Sequence, residues 1–207
     1  MRTLVIDCAT EACSVALFEH GTLIAGDWRI LGRGHAELLV PMIATLPNRG
    51  RATRIAFSQG PGSFTGLRVG LSAARALALA WQAELVSYPT LDLVAAMAFD
   101  QYDDVQLGVA MTAGHGDWFV QQFDRSNFCN STASCYRPAM AIQAITADCV
   151  AGSKAQELVT LRGWGQTAAL LPDARRFDLL PIESIQPASA IHYGRSPDAR
   201  LPGDPDK

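Results

Sequence analysis

The sequence predicts an α/β fold in two halves of unequal size. In the first hundred residues, short apolar runs typical of strands alternate with longer segments whose apolar residues recur at helical spacing. After the polar stretch from Asp100 to Asp104, a new pair of strand-like runs begins. The 207 residues, 49% hydrophobic and 18% charged, are enough for a sizeable core and indicate a folded rather than a disordered chain.

The first half is predicted to contain three antiparallel strands, followed by helices and strands in alternation. His20-Gly21 is a hairpin signal. Pro47 should end the first helix, which is entered at Gly34-His35, and Thr90 should cap the third. The predicted strands are 3–8, 14–19, 22–29, 54–58 and 85–88, and the predicted helices are 37–46, a helix from Ser63 towards Trp81, and 91–99.

The second half is less regular. Residues 105–111 and 118–123 read as a second hairpin, and weak helical patterns lie near 140–147 and 153–162. From Ser196 onward, three prolines, a glycine and three aspartates indicate an extended tail.

The most informative segment is the glycine-rich turn that begins at Gln59 and leads into the second helix. A strand, a glycine-rich turn and a helix together direct backbone N–H groups at one point, which suits an anion. The spacing is neither the Walker pattern nor GxGxxG. Two interpretations stay open: the turn binds a phosphate, or its glycines let helix and strand approach closely. Ser63 is expected to cap the helix.

Small residues recur every four positions along this helix and form a stripe without bulky side chains. They are Gly62, Gly66, Gly70, Ala74 and Ala78. A glycine inside a helix costs about 1 kcal/mol relative to alanine, so the stripe indicates a packing or binding requirement. Such a stripe allows another helix to come close, in this chain or in another one.

Composition disfavours several classes of function. The formal net charge of −3, without a run of Lys or Arg, argues against direct nucleic-acid binding. Five cysteines without a CxxC pair argue against a disulfide scaffold or a zinc knuckle, and Cys8 and Cys13 lie in predicted buried strands, where thiols are usually inert. The first apolar run is too short for a signal peptide, and no stretch approaches membrane-spanning length. We therefore expect a cytoplasmic protein.

The usual signatures of a catalytic centre are missing from the sequence. Leu39 stands four residues after His35, so the HxxxH pair of a metal site is absent. The segment GPGSFTG does not match GxSxG, which disfavours Ser63 as a nucleophile. We expect neither a metal site nor a serine hydrolase.

The turn from Asp7 to Glu11 resembles the first phosphate loop of actin-like and sugar-kinase-like ATPases. Ala9 stands where those loops usually carry glycine, so the backbone has less room to approach a phosphate. Asp7 and Thr10 are therefore candidates for a vestigial nucleotide loop. The alternative is a plain hairpin in which Asp7 accepts a hydrogen bond from its own turn.

Three motifs, in this order, resemble those of the TsaB (YeaZ) proteins of bacteria. They are MRTLVIDCATEACSVALF at 1–18, the His35 helix that continues to Leu39-Val40-Pro41-Met42, and GPGSFTGLRVG at 60–70. The third motif, which includes Arg68, is highly specific. The resemblance is strong over about the first hundred residues, and residues 193–202 resemble the tail of the alphaproteobacterial branch.

The resemblance implies an actin-like (ASKHA, ribonuclease H-like) two-lobed fold with mixed sheets flanked by helices. The expected lobes are 1–100 and 101–195, followed by a tail at 196–207. The implied role is that of a non-catalytic scaffold in the synthesis of N6-threonylcarbamoyladenosine (t6A) in tRNA, beside a TsaD-like transferase subunit and a TsaE-like ATPase. The chain alone would then bind no cofactor, because the partner subunits use the ATP and the metal ion, and it would reach tRNA only through the complex.

The resemblance also implies that paired subunits meet through the first two helices. The expected interface residues are His35, Leu38, Leu39, Met42, Gly62, Ser63, Phe64, Thr65, Gly66, Gly70 and Ala74. We expect these residues to form an apolar patch that mediates a homodimer in isolation and a heterodimer with TsaD when TsaD is present. The two dimers should exclude each other, because they bury the same surface. The alternatives are a stand-alone actin-like ATPase or peptidase-like enzyme, which the missing second histidine and Ala9 argue against, and a plain homodimeric binding module.

Overall fold

Two mixed sheets flanked by helices make up the protein. The computed structural model describes residues 1–129, 131–188 and 190–194. The strands are β1 Arg2–Asp7, β2 Ala12–Glu19, β3 Thr22–Ile30, β4 Arg54–Ser58, β5 Glu84–Tyr88, β6 Gln106–Gly114, β7 Asp117–Asp124, β8 Phe128–Cys129, β9 Ser134–Tyr136, β10 Cys149–Ala151, β11 Gln166–Ala168 and β12 Gln186–Pro187. The α-helices are α1 His35–Thr45, α2 Phe64–Trp81, α3 Thr90–Gln101, α4 Pro138–Ala144 and α5 Ala155–Arg162. Short 3-10 helices cover Pro47–Gly50, Ala174–Leu179 and Ile182–Ser184.

The first sheet has the strand order β12-β5-β4-β1-β2-β3. Strands β1, β4 and β5 run parallel, so their carboxyl ends meet at one edge and place Asp7, Ser58 and Tyr88 near one another. Strands β1, β2 and β3 are antiparallel, and the predicted hairpin between β2 and β3 is confirmed. His20 and Gly21 form its turn with φ values of 52° and 83°, the left-handed region that a tight hairpin needs.

The second sheet has the order β11-β10-β6-β7-β8, and β9 also pairs with β7. The predicted second hairpin is confirmed as β6 and β7. Helices α4 and α5 pack on this sheet through Ala141, Ala155 and Leu158.

Helix α3 lies between the two sheets and is buried along most of its length. Leu93 and Met97 pack in the core of the first sheet, whereas Leu91 and Val94 pack in the core of the second. A helix that is apolar all round has to be covered on every side, which explains why this segment lies at the junction.

The chain returns to the first sheet after β11. Strand β12 pairs with β5, and Phe177 packs against the rings of Phe18 and Tyr88 at centroid distances of 6.0 and 5.5 Å. This differs from the predicted division, which assigned all of 101–195 to the smaller lobe. Burial of Phe177 and its neighbours on the first sheet accounts for the return, because the 3-10 helix that carries them is too short to form a core by itself.

Thr90 does not cap α3 as predicted. It is the first residue of the helix, and its hydroxyl group lies 2.7 Å from that of Ser58. The predicted helix at 140–147 begins earlier, at Pro138, whose fixed φ suits the first turn. The predicted tail at 196–207 lies outside the described residues. None of the helices in the described ranges has the length and apolar character that crossing a bilayer requires.

Candidate functional site: the Asp7 turn and the α1–α2 groove

Asp7 ends β1 and is buried at the edge where the parallel strands terminate. The Ala9 amide donates to its Oδ1 at 2.9 Å, and the Tyr88 hydroxyl donates to its Oδ2 at 3.0 Å. Burial raises the pKa of Asp7 to about 6, and these two hydrogen bonds oppose the rise. The interpretation in which Asp7 accepts a hydrogen bond from its own turn is therefore confirmed.

The glycine-rich turn lies directly on the Asp7 turn. The Ser63 amide donates to the Ala9 carbonyl at 2.7 Å. A Cβ atom at Gly62 would lie 2.3 Å from that carbonyl oxygen, and one at Gly66 would lie 2.0 Å from the Cys8 oxygen. Of the two open interpretations, close approach of helix and strand is the one that the structure confirms.

Ser63 caps α2 as predicted, because its Oγ accepts a hydrogen bond from the Gly66 amide at 3.3 Å. The amides of Ser63 and Gly66 are therefore both engaged within the chain. In the Asp7 turn, Thr10 similarly accepts a hydrogen bond from the Ala12 amide at 3.2 Å. These N–H groups, to which a phosphate could bind, already have partners.

The stripe of small residues on α2 faces the first sheet of the same chain. Gly66, Gly70, Ala74 and Ala78 are buried, and a Cβ atom at Gly70 would lie 3.6 Å from the Cys8 Cβ. The neighbour that the stripe accommodates is thus the end of β1, not a helix of another subunit.

The inner face of α1 is also part of the core. Leu39 and Met42 are each 1% exposed and pack with the apolar residues of β1 and β2. His35 is buried, and its Nε2 lies 3.3 Å from the Ala12 carbonyl oxygen. The expectation of an exposed patch is therefore wrong for the buried members of the predicted interface. They are His35, Leu39, Met42, Gly66, Gly70 and Ala74.

The outer faces of α1 and α2 enclose a shallow apolar groove of about 460 Å³. Its lining residues are Ala36, Leu39, Val40, Phe64, Thr65, Arg68, Val69, Ser72 and Ala73. Val40 and Phe64 are 58% and 56% exposed, and the Arg68 guanidinium group lies 5.1 Å from the centroid of the Phe64 ring. We call this surface the α1–α2 groove.

Of the predicted interface residues, Phe64 and Thr65 line the α1–α2 groove and are exposed, whereas Leu39 lines it but is only 1% exposed. Sequence reasoning missed Val40 and Arg68, among others. The sequence pattern that could have indicated them is the spacing of four residues, which places Ala36 and Val40 on one face of α1 and Arg68 and Ser72 on one face of α2. On α2, Arg68 and Ser72 lie on a different face from the buried stripe of small residues.

Asp92 and Cys8 also have perturbed acidity. Burial raises the pKa of Asp92, in the first turn of α3, to about 6, although the Ser184 hydroxyl donates to its Oδ2 at 2.7 Å. The thiols of Cys8 and Cys13 lie 3.6 Å apart, and their hydrogen bond and burial raise the pKa of Cys8. Cys8 and Cys13 are buried and free, as predicted, and Cys149 is buried and free as well. Among the described residues, no three His, Cys, Asp or Glu side chains are grouped to hold a metal ion.

The comparison with known families decides the relationship. Residues 29–174 match the family described as "TsaD: tRNA N6-adenosine threonylcarbamoyltransferase". The chain belongs to this family.

Curated proteins that are similar to the chain include TsaB proteins. The tRNA threonylcarbamoyladenosine biosynthesis protein TsaB of Escherichia coli (strain K12) is 33% identical over 130 residues, which are 60% of this chain and 56% of that protein. The protein of the same name from Haemophilus influenzae is also 33% identical over 130 residues, 60% of this chain and 55% of its own length. The chain thus spans just over half the length of the curated relatives it matches.

Solved structures agree with these sequence matches. YeaZ from Pseudomonas aeruginosa superimposes with a TM-score of 0.72 at 26% identity, covering 86% of this chain and 88% of that one. The ethanolamine utilization protein EutJ from Carboxydothermus hydrogenoformans, at a TM-score of 0.50 and 11% identity over 87% of this chain and 90% of that one, shares the fold alone. The resemblance to TsaB (YeaZ) and the actin-like α/β fold with mixed sheets are confirmed.

Proposed function

We propose that this chain is a non-catalytic scaffold subunit of the bacterial t6A complex and pairs with a TsaD-like transferase subunit. Its TsaB relatives carry threonylcarbamoyladenosine biosynthesis in their names, which supports a role in the same pathway. A TsaE-like ATPase joins the pair, and tRNA is bound only through the complex, in the cytoplasm. In isolation the chain forms a homodimer through the same surface that binds the TsaD-like subunit.

The observation that carries the proposal is the α1–α2 groove. Val40 and Phe64 expose apolar area on two packed helices, and an exposed apolar patch on a folded protein commonly marks a partner site. Arg68, beside Phe64, adds a charge that selects a partner with a carboxylate at the matching position. Because one groove cannot hold two occupants, the homodimer and the heterodimer exclude each other.

The Asp7 turn supports the non-catalytic part of the proposal. Both carboxylate oxygens of Asp7 accept hydrogen bonds within the chain, and the Ser63 amide donates a hydrogen bond to the Ala9 carbonyl oxygen. A nucleotide phosphate at this turn would have to break these buried contacts. The chain alone therefore binds no cofactor, and ATP and a metal ion act in the partner subunits.

A pair of matched variants tests the partner surface. Val40→Glu places a charge in the groove, whereas Leu79→Glu places the same charge on α2 at a residue that is 84% exposed and outside the groove. Loss of the apolar contact and burial of a carboxylate should weaken the complex with the TsaD-like subunit at least about 10-fold in Val40→Glu. Leu79→Glu should bind like the unaltered chain. Sedimentation of the purified subunits measures both, together with the homodimer.

The cellular measurement uses the same two variants. Cells that depend on Val40→Glu should lose most of their t6A while the protein stays folded, and cells with Leu79→Glu should keep it. Equal binding by the two variants and equal t6A in the two strains would show that the groove does not bind the partner. Steady hydrolysis of ATP or of a peptide by the purified chain, abolished by Asp7→Asn, would favour the stand-alone enzyme instead.

A further inference from the structure

Residues 192–194, called the strap below, bridge the two sheets. The His192 amide donates to the Gln59 carbonyl, just after β4, at 2.8 Å. Gly194 lies between the two sheets, because a Cβ atom there would be 2.8 Å from the Cβ of Pro61 and 2.7 Å from Cε1 of Phe119 on β7. The strap therefore contacts the glycine-rich turn of the first sheet and a strand of the second at the same time.

The contact depends on two glycines. Gly60 has φ +101°, and a Cβ atom there would lie 2.3 Å from the His192 carbonyl oxygen. Gly194 has φ +63° and is closely surrounded, as described above. Both positions therefore combine a left-handed backbone with a lack of space for any side chain. The backbone of the strap is thus packed tightly against the turn.

Tyr193 extends the strap to the rim of the α1–α2 groove. Its ring lies 4.8 Å from the Phe64 ring, centroid to centroid, at an interplanar angle of 32°. Phe64 lines the groove and also contacts the guanidinium group of Arg68. Tyr193 remains 36% exposed, so part of its surface is available to a molecule that covers Phe64.

We infer that the strap is part of the partner-binding face, so that its packing between the sheets and the binding of a partner stabilise each other. This inference rests on the proposed function, because it takes the TsaD-like subunit as the occupant of the groove. A side chain that covers Phe64 also contacts Tyr193, and an ordered strap lowers the entropy cost of binding. The chemistry favours an apolar or aromatic side chain against the two rings and a carboxylate near Arg68.

Two pairs of variants test the inference. Gly194→Ala should displace the strap, and Gly116→Ala is its control, because Gly116 has φ +84° but no atom within 4 Å of an added Cβ. Tyr193→Ala removes the ring contact, and Tyr193→Phe retains it. Hydrogen exchange in the isolated chain reports on the His192 amide, and titration of the TsaD-like subunit measures affinity.

The expected result is specific to the strap. In Gly194→Ala the His192 amide should exchange at least about 10-fold faster than in the unaltered chain and in Gly116→Ala. Gly194→Ala and Tyr193→Ala should weaken the complex about 3- to 10-fold, while Tyr193→Phe and Gly116→Ala bind normally. At a chain concentration low enough to keep the homodimer dissociated, binding of the partner should in turn slow exchange at His192.

Different failures have different meanings. If the unaltered chain does not bind the TsaD-like subunit, the proposed function fails and the coupling fails with it. If the partner binds all four variants with equal affinity although Gly194→Ala frees the His192 amide, only the coupling is overturned. Rapid exchange of that amide in the unaltered chain would show that the strap is not packed between the sheets.

Discussion

Two glycines on one face of α2 should respond in opposite ways to the same substitution. A Cβ atom at Gly66 would lie 2.0 Å from the backbone oxygen of Cys8, whereas one at Gly70 would make ordinary contact at 3.6 Å. Gly66→Ala therefore forces the helix away from the end of β1, and overpacking of this kind costs about 1–3 kcal/mol. Gly70→Ala meets no such obstacle and should stabilise the helix by up to about 1 kcal/mol.

Thermal unfolding of the two variants measures the difference. For a chain of this size, 1 kcal/mol corresponds to about 2–4 °C in Tm, so Gly66→Ala should lower Tm by about 2–12 °C and Gly70→Ala should raise it by up to about 2–4 °C. Each variant is the control of the other, because both replace a helical glycine on the same face. If Gly66→Ala were as stable as the unaltered chain, the close contact between α2 and the Asp7 turn would be wrong. If both variants lost stability equally, the whole stripe would be in tight contact.

The remaining predictions concern titration and thiol reactivity. Burial raises the pKa of Asp7 and of Asp92 from about 3.8 to about 6, so the native state binds these two protons more tightly than the unfolded state does. The stability that the protonated carboxyl groups contribute is therefore full below about pH 4 and is lost as the pH rises to about 6. The free energy of unfolding of Asp7→Asn, measured relative to the unaltered chain with urea, should therefore increase by about 1–3 kcal/mol between pH 4 and pH 6.5, and a constant difference would contradict the raised pKa. In the native protein iodoacetamide should modify Cys135, which is partly exposed, well before the buried Cys8 and Cys13. Mass spectrometry of the peptides checks the order, and early modification of Cys8 would show that the first hairpin opens readily.

The order of the elements in the first half could be read from the sequence because each one carries its own local signal. The hairpin at His20-Gly21 and the cap at Ser63 depend on residues within four positions of each other, so no tertiary information is needed. The predicted cap at Thr90 is wrong because its hydroxyl group binds that of Ser58, which is 32 residues away in the chain. The return of Phe177 to the first sheet has a similar cause, since a short 3-10 helix shows no periodicity.

The candidate site shows the same limit. Spacing of four residues indicated correctly that one face of α2 is packed closely, but a stripe of small residues fits a strand end as well as a helix. Which of the two lies opposite depends on how the turn at Gly60 to Gly62 folds over Ala9. For this reason the prediction assigned Gly66 and Gly70 to a surface that is in fact covered, and missed Val40 and Arg68 on the adjacent one.

The close packing of α2 on the Asp7 turn has two consequences, and they arise from the same contacts. The hydrogen bond from Ser63 to Ala9 and the lack of space at Gly62 and Gly66 leave the first turn of α2 with little freedom to move relative to β1. Those contacts engage the Ser63 amide and the Ala9 carbonyl within the chain. The same contacts also fix the position and rotation of α2 relative to the first sheet. They therefore fix its outer face, which forms one wall of the α1–α2 groove. Under the proposed function, a partner surface held in this way requires little reorganisation on binding, which lowers the cost of association. A change that loosens the glycine contacts should thus reduce partner affinity even though none of these glycines lines the groove.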